Sequence, residues 1–263
     1  MLKDKKKYLE HINDKGQIII LRKILDDIEK VIINHSVVSS DFLDPHQRKL
    51  SYSILNRFSD IDYYEEGGYD YAERKIIIMY PEYLRHTDLD NEVSAIEVRT
   101  KYRYSNLNHK DFLGALLGLG VKREIIGDII VSDDFAHIIM SKELKDYILL
   151  NLDTVGKESV NVKEISLQDI YIKKDEYEKV YTTVSSLRLD TIVSSAFNLS
   201  RNDSSKIIKG EKVKVNFQPI DNISYCVNEG DLISVRKKGR MRLESILGES
   251  KKGKLKVQIN KYI

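Results

Sequence analysis

The 263-residue chain has no tryptophan, one cysteine and three prolines. A single cysteine, Cys226, excludes an internal disulfide framework and a cysteine-rich zinc site. It lies between Tyr225 and Val227 in an expected strand, where a buried packing role is expected. No apolar run approaches the roughly 18 residues of a membrane span. The basic start, Met1 to Lys7, lacks the apolar segment of a secretory signal, so a cytoplasmic location is expected. The six histidines, His11, His35, His46, His86, His109 and His137, show neither the i, i+4 pairing nor the His-Glu-x-x-His spacing of a zinc site. No G-x-S-x-G elbow is found, and no metal, cofactor or catalytic residue is expected.

What the chain does have is charge, unevenly placed. Its 43 basic and 41 acidic side chains nearly cancel. Residues 181–263 nevertheless hold 16 Lys+Arg against 8 Asp+Glu, net +8, which leaves 27 and 33, net −6, for residues 1–180. A basic module on an acidic remainder is the electrostatic footprint of nucleic-acid binding. Its densest stretches are 236–242, with Arg236, Lys237, Lys238 and Arg240, and 251–254.

Periodicity divides the chain. Ile18, Leu21, Leu25, Ile28 and Ile32 have helical spacing. Asp44-Pro45 supplies an N-cap and an N1 proline for a second helix toward Phe58. Gly67-Gly68 and the tyrosines Tyr63, Tyr64, Tyr69 and Tyr71 then interrupt the pattern and suit a domain junction. Residues 1–72 are expected to form a helical domain and 73–178 an α/β domain. Within the latter, Lys75 to Tyr80 reads as a short strand and Val93 to Tyr104 alternates. Helices near 109–119 and 142–150 and strands near 129–131, 135–140 and 160–165 complete a β-α-β-β-α-β order, ferredoxin-like and shared by RNA-recognition motifs. The aromatic string that stacks bases in those motifs is missing. Arg99, Lys101 and Arg103 on the long strand form a secondary RNA contact or a solvated face.

The helix His109-Lys110-Asp111-Phe112-Leu113-Gly114-Ala115-Leu116-Leu117-Gly118 is followed by Leu119-Gly120. Its small residues suggest close backbone packing, and Gly118-Leu119-Gly120 ends it. As a dinucleotide fingerprint it fails, because Arg123 stands where a third glycine is required.

The third region, 181–263, carries Arg188-Leu189-Asp190, Ser200-Arg201, Ile207-Ile208, Val213-Lys214-Val215-Asn216 and residues 230–236 in the order and spacing that resemble the S4 (αL-type) RNA-binding domain. Ser200 reads as an N-cap with Asp203 at N3, leaving Arg201 at the positive end of a helix. Ile207 and Ile208 are expected inward, with Arg201, Ser204, Ser205 and Lys209 on other faces.

The central string through Ile126-Gly127-Asp128-Ile129, with Gly67-Gly68, Ala72-Glu73-Arg74-Lys75 and the S4 pattern, closely resembles the YlmH family over nearly the whole chain. The ending, 239–254, looks like that family's terminal basic hairpin. The resemblance implies an α+β protein with a helical N-terminal domain, an RRM-like central domain and a C-terminal S4 domain. It also implies a non-catalytic factor on the large ribosomal subunit, contacting rRNA and tRNA or peptidyl-tRNA in ribosome-associated quality control, and monomeric off the ribosome. Arg188, Ser200, Arg201, Lys206, Lys209 and Lys212 match the S4 surface, with phosphate and sugar contacts as their implied roles. Departures from the superfamily are Ser204 for alanine, Glu211 for glycine and Phe217 for glycine. Gly210 is expected to end the helix one position early, and Phe217 to cover the core.

The rivals are an RNA-modifying enzyme and a scaffold. Pseudouridine synthases carry a catalytic Asp in an Arg-Leu-Asp string, but Leu187 before and Thr191-Ile192-Val193 after do not fit, so Asp190 is read as structural. Tyrosyl-tRNA synthetase and methyltransferase signatures are missing too. A division-linked scaffold would use the acidic N-terminal half as a protein interface.

Overall fold

Asp14 opens the first helix of the structure, a computed structural model that describes residues 5–10, 12, 14–101, 106–172 and 175–263. Its carboxylate accepts from the Gly16 and Gln17 amides at 2.7 and 3.2 Å, satisfying donors the helix itself leaves unpaired. Helix α1 (Lys15–Asn34) buries Leu21, Ile24, Leu25, Ile28 and Val31 along one face. After the short strand β1 (Val38–Ser39), helix α2 (Pro45–Leu55) starts from a complete capping box between Asp44 and Gln47, with Pro45 in the first turn.

Two further strands, β2 (Ile61–Glu66) and β3 (Ile76–Pro81), join β1 in an antiparallel sheet of order β1-β3-β2. The N-terminal helices are therefore backed by a sheet, and residues 1–72 are not helical throughout. Strand β2 was hard to anticipate because only Ile61 of its six residues is buried. Strand β3 buries all six of its residues and pairs with β2 from Ile61–Pro81 to Glu66–Ile76, across position 72.

The central region runs β4 (Val93–Thr100), α3 (His109–Gly118), β5 (Ile126–Val131), β6 (Phe135–Ser141), α4 (Lys145–Asn151), β7 (Thr154–Val155) and β8 (Glu158–Ile165). The sheet order is β5-β6-β4-β8-β7 with every pairing antiparallel, which is the split βαβ arrangement. Strand β4 runs to Thr100, and Tyr102, Arg103 and Tyr104 of the expected alternation lie outside the described residues. One sheet face packs under α3 and α4 through Ile96, Val98, Ile138, Phe112, Leu116 and Ile148. On the other face Ala95 and Ile139 meet Phe42, Ile76 and Ile78.

That second contact is tied by polar groups. The Asp128 carboxylate accepts from the Tyr69 hydroxyl (2.9 Å) and from the Glu73 and Arg74 amides (2.7 and 3.1 Å). The Arg74 guanidinium donates to the Phe42 and Ile126 carbonyls, and Arg123 to those of Ile126 and Gly127. Burial lowers both guanidinium pKa values, that of Arg123 to about 10. Tyr69 thus acts at the expected junction, whereas Tyr71 is 80% exposed.

The chain divides into two compact units, Met1–Lys173 and Lys174–Ile263. The second contains β9 (Tyr177–Val184), α5 (Leu189–Phe197), α6 (Arg201–Lys209), β10 (Val213–Val215), β11 (Gln218–Pro219), β12 (Leu232–Val235), β13 (Gly239–Glu249) and β14 (Leu255–Tyr262). Its sheet has the order β11-β10-β12-β13-β14-β9, and β13-β14 is the expected terminal hairpin. Helices α5 and α6 cover one face, where Leu189, Ile192 and Ile208 pack with Ile233, Met241 and Ile259. Cys226 is exposed, not buried: it makes only an isolated bridge to Arg188 while its neighbour Val227 turns inward.

Candidate nucleic-acid interface

Arg188 occupies the position just before α5, without a side-chain cap, and Arg201 is the first residue of α6. Asp190 draws them together. Arg188 donates Nε and Nη2 to the two carboxylate oxygens of Asp190 at 3.0 and 3.1 Å. The Thr191 hydroxyl donates to Asp190 at 3.4 Å and accepts from Arg201 Nη2 at 3.2 Å, while the same Arg201 nitrogen donates to Ser185 Oγ at 2.8 Å. Burial opposes ionisation of Asp190, but the Arg188 hydrogen bonds and charge outweigh it and hold the carboxyl below its ordinary value. Arg188 is correspondingly raised, chiefly by the hydrogen bond to Asp190. Asp190 is 5% exposed, and both of its carboxylate oxygens accept from Arg188.

Ser200 caps α6: its hydroxyl accepts from the Asp203 amide at 3.1 Å and donates to the Asp203 carboxylate at 2.7 Å. Along α6, Ile208 is buried, Ile207 partly so, and Lys206 and Lys209 are exposed. Ser204, expected on an outer face, is buried and donates to the Arg201 carbonyl at 3.0 Å. From Arg201 to Lys209 the helix rises roughly 12 Å, long enough to meet more than one phosphate.

Lys212 follows α6, and its carbonyl accepts from the Arg236 amide at 2.9 Å, placing the β12-β13 turn beside the end of the helix. Lys237 and Lys238 occupy that turn, both exposed, with Lys237 at φ +67°. Arg240 departs from this group. It lies on β13 with its guanidinium over the Phe217 ring, 5.7 Å from the centroid.

Phe217 does not cover the core; Asn216 and Phe217, at φ +48° and +69°, form the tight β10-β11 turn. Nor does Gly210 take the left-handed position after α6. Gly210 has φ −84° and Glu211 has φ +54°, so the acidic residue itself adopts the conformation that favours glycine.

In the central region Arg99 pairs with Glu97 at 3.2 Å and lies 5.1 Å from the Phe135 centroid. Lys101 is exposed just beyond β4, and Arg103 lies outside the described residues. Sequence reasoning missed Phe135, the aromatic neighbour of Arg99, whose ring meets that of Tyr171 edge-on at 5.8 Å only through tertiary pairing.

The glycines of α3 overturn the close-packing expectation. A Cβ at Gly114 or Gly118 would meet nothing within 4 Å; with Ala115 they line an open groove of about 490 Å³ closed by residues 151–154. Gly120, at φ +82°, ends the helix as expected. No described helix is long and apolar enough to cross a membrane, and among the described residues no group of three or more metal-ligating side chains occurs.

Three family models match the chain in order: "YlmH, N-terminal" over residues 17–84, "Putative RNA-binding domain in YlmH" over 87–169, and "S4 domain" over 187–233. The Streptococcus pneumoniae structure described as cell division protein ylmH superimposes with a TM-score of 0.52 at 25% identity, covering 60% of this chain and 95% of that one. The ribosome-associated protein quality control protein P2 of Bacillus subtilis (strain 168) is 38% identical over 218 residues, 83% of this chain and 84% of its own. With an α+β fold, the S4 arrangement around Asp190 and this extent of likeness, the chain belongs to the YlmH family.

Proposed function

We propose that this protein is a non-catalytic, cytoplasmic RNA-binding factor that associates with the large ribosomal subunit. It recognises rRNA together with peptidyl-tRNA on stalled subunits in ribosome-associated quality control. The observation that carries the RNA reading is the gathering of Arg188 and Arg201 about Asp190, continued along α6 by Lys206 and Lys209 and beyond it by Lys212 and Arg236. Ser200 contributes by fixing the start of α6. Lys237 and Lys238 extend the surface, with Arg240 at its margin and Arg99 and Lys101 as a secondary contact. Guanidinium groups held by fixed hydrogen bonds suit phosphate recognition, since little freedom is lost on binding. The ribosomal partner and the pathway rest on the B. subtilis relative's name.

A pseudouridine synthase role is disfavoured by Asp190, whose carboxylate is buried against Arg188 rather than open to substrate. The name of the S. pneumoniae neighbour favours a division-linked scaffold as the second reading.

Sucrose-gradient sedimentation of tagged protein in lysate, with sequencing of the accompanying RNA, tests both. Co-migration with free large subunits enriched in tRNA, lost in Arg201→Glu, is expected. Migration at the top without RNA would favour the scaffold.

A further inference from the structure

The sheet of the C-terminal unit has a second face, turned away from α5 and α6. Strand alternation assigns its residues: Lys214, Ser234 and Arg240 are direct cross-strand partners, as are Leu232, Arg242, Asn260 and Lys179 in the adjoining row. Tyr181 stands opposite Gln258, and Tyr177 opposite Tyr262. The inward partners on the same strands, Val180 with Ile259 and Met241 with Ile233, belong to the core, so the two sets point to opposite sides.

This face combines cations with aromatic rings. Tyr181 is 63% and Tyr177 42% exposed, large values for rings on a regular strand. They flank Lys179 on β9 and stand roughly 13 Å apart along it. Arg240 covers Phe217 at one margin, and the Tyr177 and Tyr262 rings meet edge-on at 6.4 Å at another. Two carboxylates, Asp175 and Glu244, act on Tyr262 from nearby; Glu244 accepts from the Asn260 amide at 2.8 Å, and Asn260 in turn accepts from Gln258 at 3.2 Å. A protein partner would call for an apolar centre, and here the exposed centre is Arg242 and Lys179, with Asn260 buried between them in the row.

We propose that this face is a second RNA site that takes single-stranded nucleotides. Bases stack on Tyr181 and Tyr177 while Lys179, Arg242 and Lys214 neutralise the phosphates. The rings supply sequence-tolerant stacking and the cations a track for the backbone, the combination by which sheets hold single strands. The inference rests on the RNA-binding reading above but uses the opposite side of the sheet. The protein would therefore grip a structured element with its helices and an adjacent unpaired segment with its sheet.

The test uses the full chain and two labelled probes, an oligouridylate single strand and an rRNA hairpin, at fixed moderate salt. Tyr177→Ala/Tyr181→Ala should weaken oligouridylate binding by about tenfold or more and leave hairpin affinity unchanged. Arg201→Glu should do the reverse. Both rings are exposed, so far-UV circular dichroism of the double variant should match wild type. No oligouridylate binding by wild type, or equal binding by the tyrosine variant, would overturn the second site. Unchanged hairpin binding by Arg201→Glu would instead overturn the placement of the helix site.

Discussion

Phe42 occupies the space that a side chain on Gly127 would need. A Cβ at Gly127 would lie 2.7 Å from Phe42 Cε1 and 3.2 Å from Ile139 Cβ, so the N-terminal segment seats against the central sheet only because position 127 is bare. Gly127→Ala should destabilise the first unit by about 1–3 kcal/mol, the usual cost of overpacking, read as a lower urea midpoint. An unchanged midpoint would mean that Phe42 can move aside.

Arg188→Ala should lower stability near neutral pH, because it leaves the buried Asp190 carboxylate without its bidentate partner. The sign of the pH dependence follows from the depressed Asp190 value. A carboxyl that is more acidic when folded stabilises above its unfolded pKa, near 3.9, and this contribution is lost as pH falls through the folded value. The gap between wild type and variant should narrow below about pH 4, as followed by thermal unfolding across pH.

His137 should titrate below 6.5 in an NMR pH series. Burial lowers it, against the opposing pull of Glu97, and its Nδ1 accepts from the Tyr171 amide at 2.9 Å, which requires an unprotonated nitrogen. The stabilisation is present above pH 6.5 and is lost as pH falls through the folded value. A midpoint above 6.5 would instead mean that the Glu97 contact dominates.

Glu211→Gly should raise stability by about 0.5–1 kcal/mol, since it relieves a left-handed backbone at some entropic cost in the unfolded chain. It should also tighten RNA binding by removing a negative charge beside Lys212. Weaker RNA binding in that variant would show that Glu211 orders the surface.

Lys209→Gln should weaken RNA binding evenly across sequences and reduce the slope of log affinity against log salt by about 1, the signature of one lost phosphate contact. An unchanged slope would remove Lys209 from the interface.

Local chemistry made much of this legible. Asp44-Pro45 marked α2 because capping and a fixed proline φ act within one turn. The long alternation before residue 101 revealed β4 because Ile96 and Val98 face the helix-covered core while Glu97 and Arg99 stand on the opposite face. Strand β2 escaped because its weakly buried residues form a strand only in the company of β3. Glycine spacing pointed to Gly210, yet the chain reversed at Glu211, where the following strand, not residue preference, sets φ. Arg188, Ser200 and Arg201 could be named from pattern, but not that Asp190 and Thr191 together link the two arginines. Tyr177 and Tyr181 gave no signal, because β9 precedes the S4 pattern and its role depends on pairing with the far end of the unit.

That last pairing also orders events in time. Tyr177 lies opposite Tyr262, so the strand translated first in the C-terminal unit finds its partner in the strand translated last. Until then β9 has no ladder to join, and its backbone from Tyr177 to Val184 stays unpaired. Such non-local closure is slow compared with helix formation, and domains tend to fold in the order of synthesis. The helical α5-α6 surface should therefore form before the sheet is sealed, leaving the release of β14 from the ribosome as the step that completes the unit.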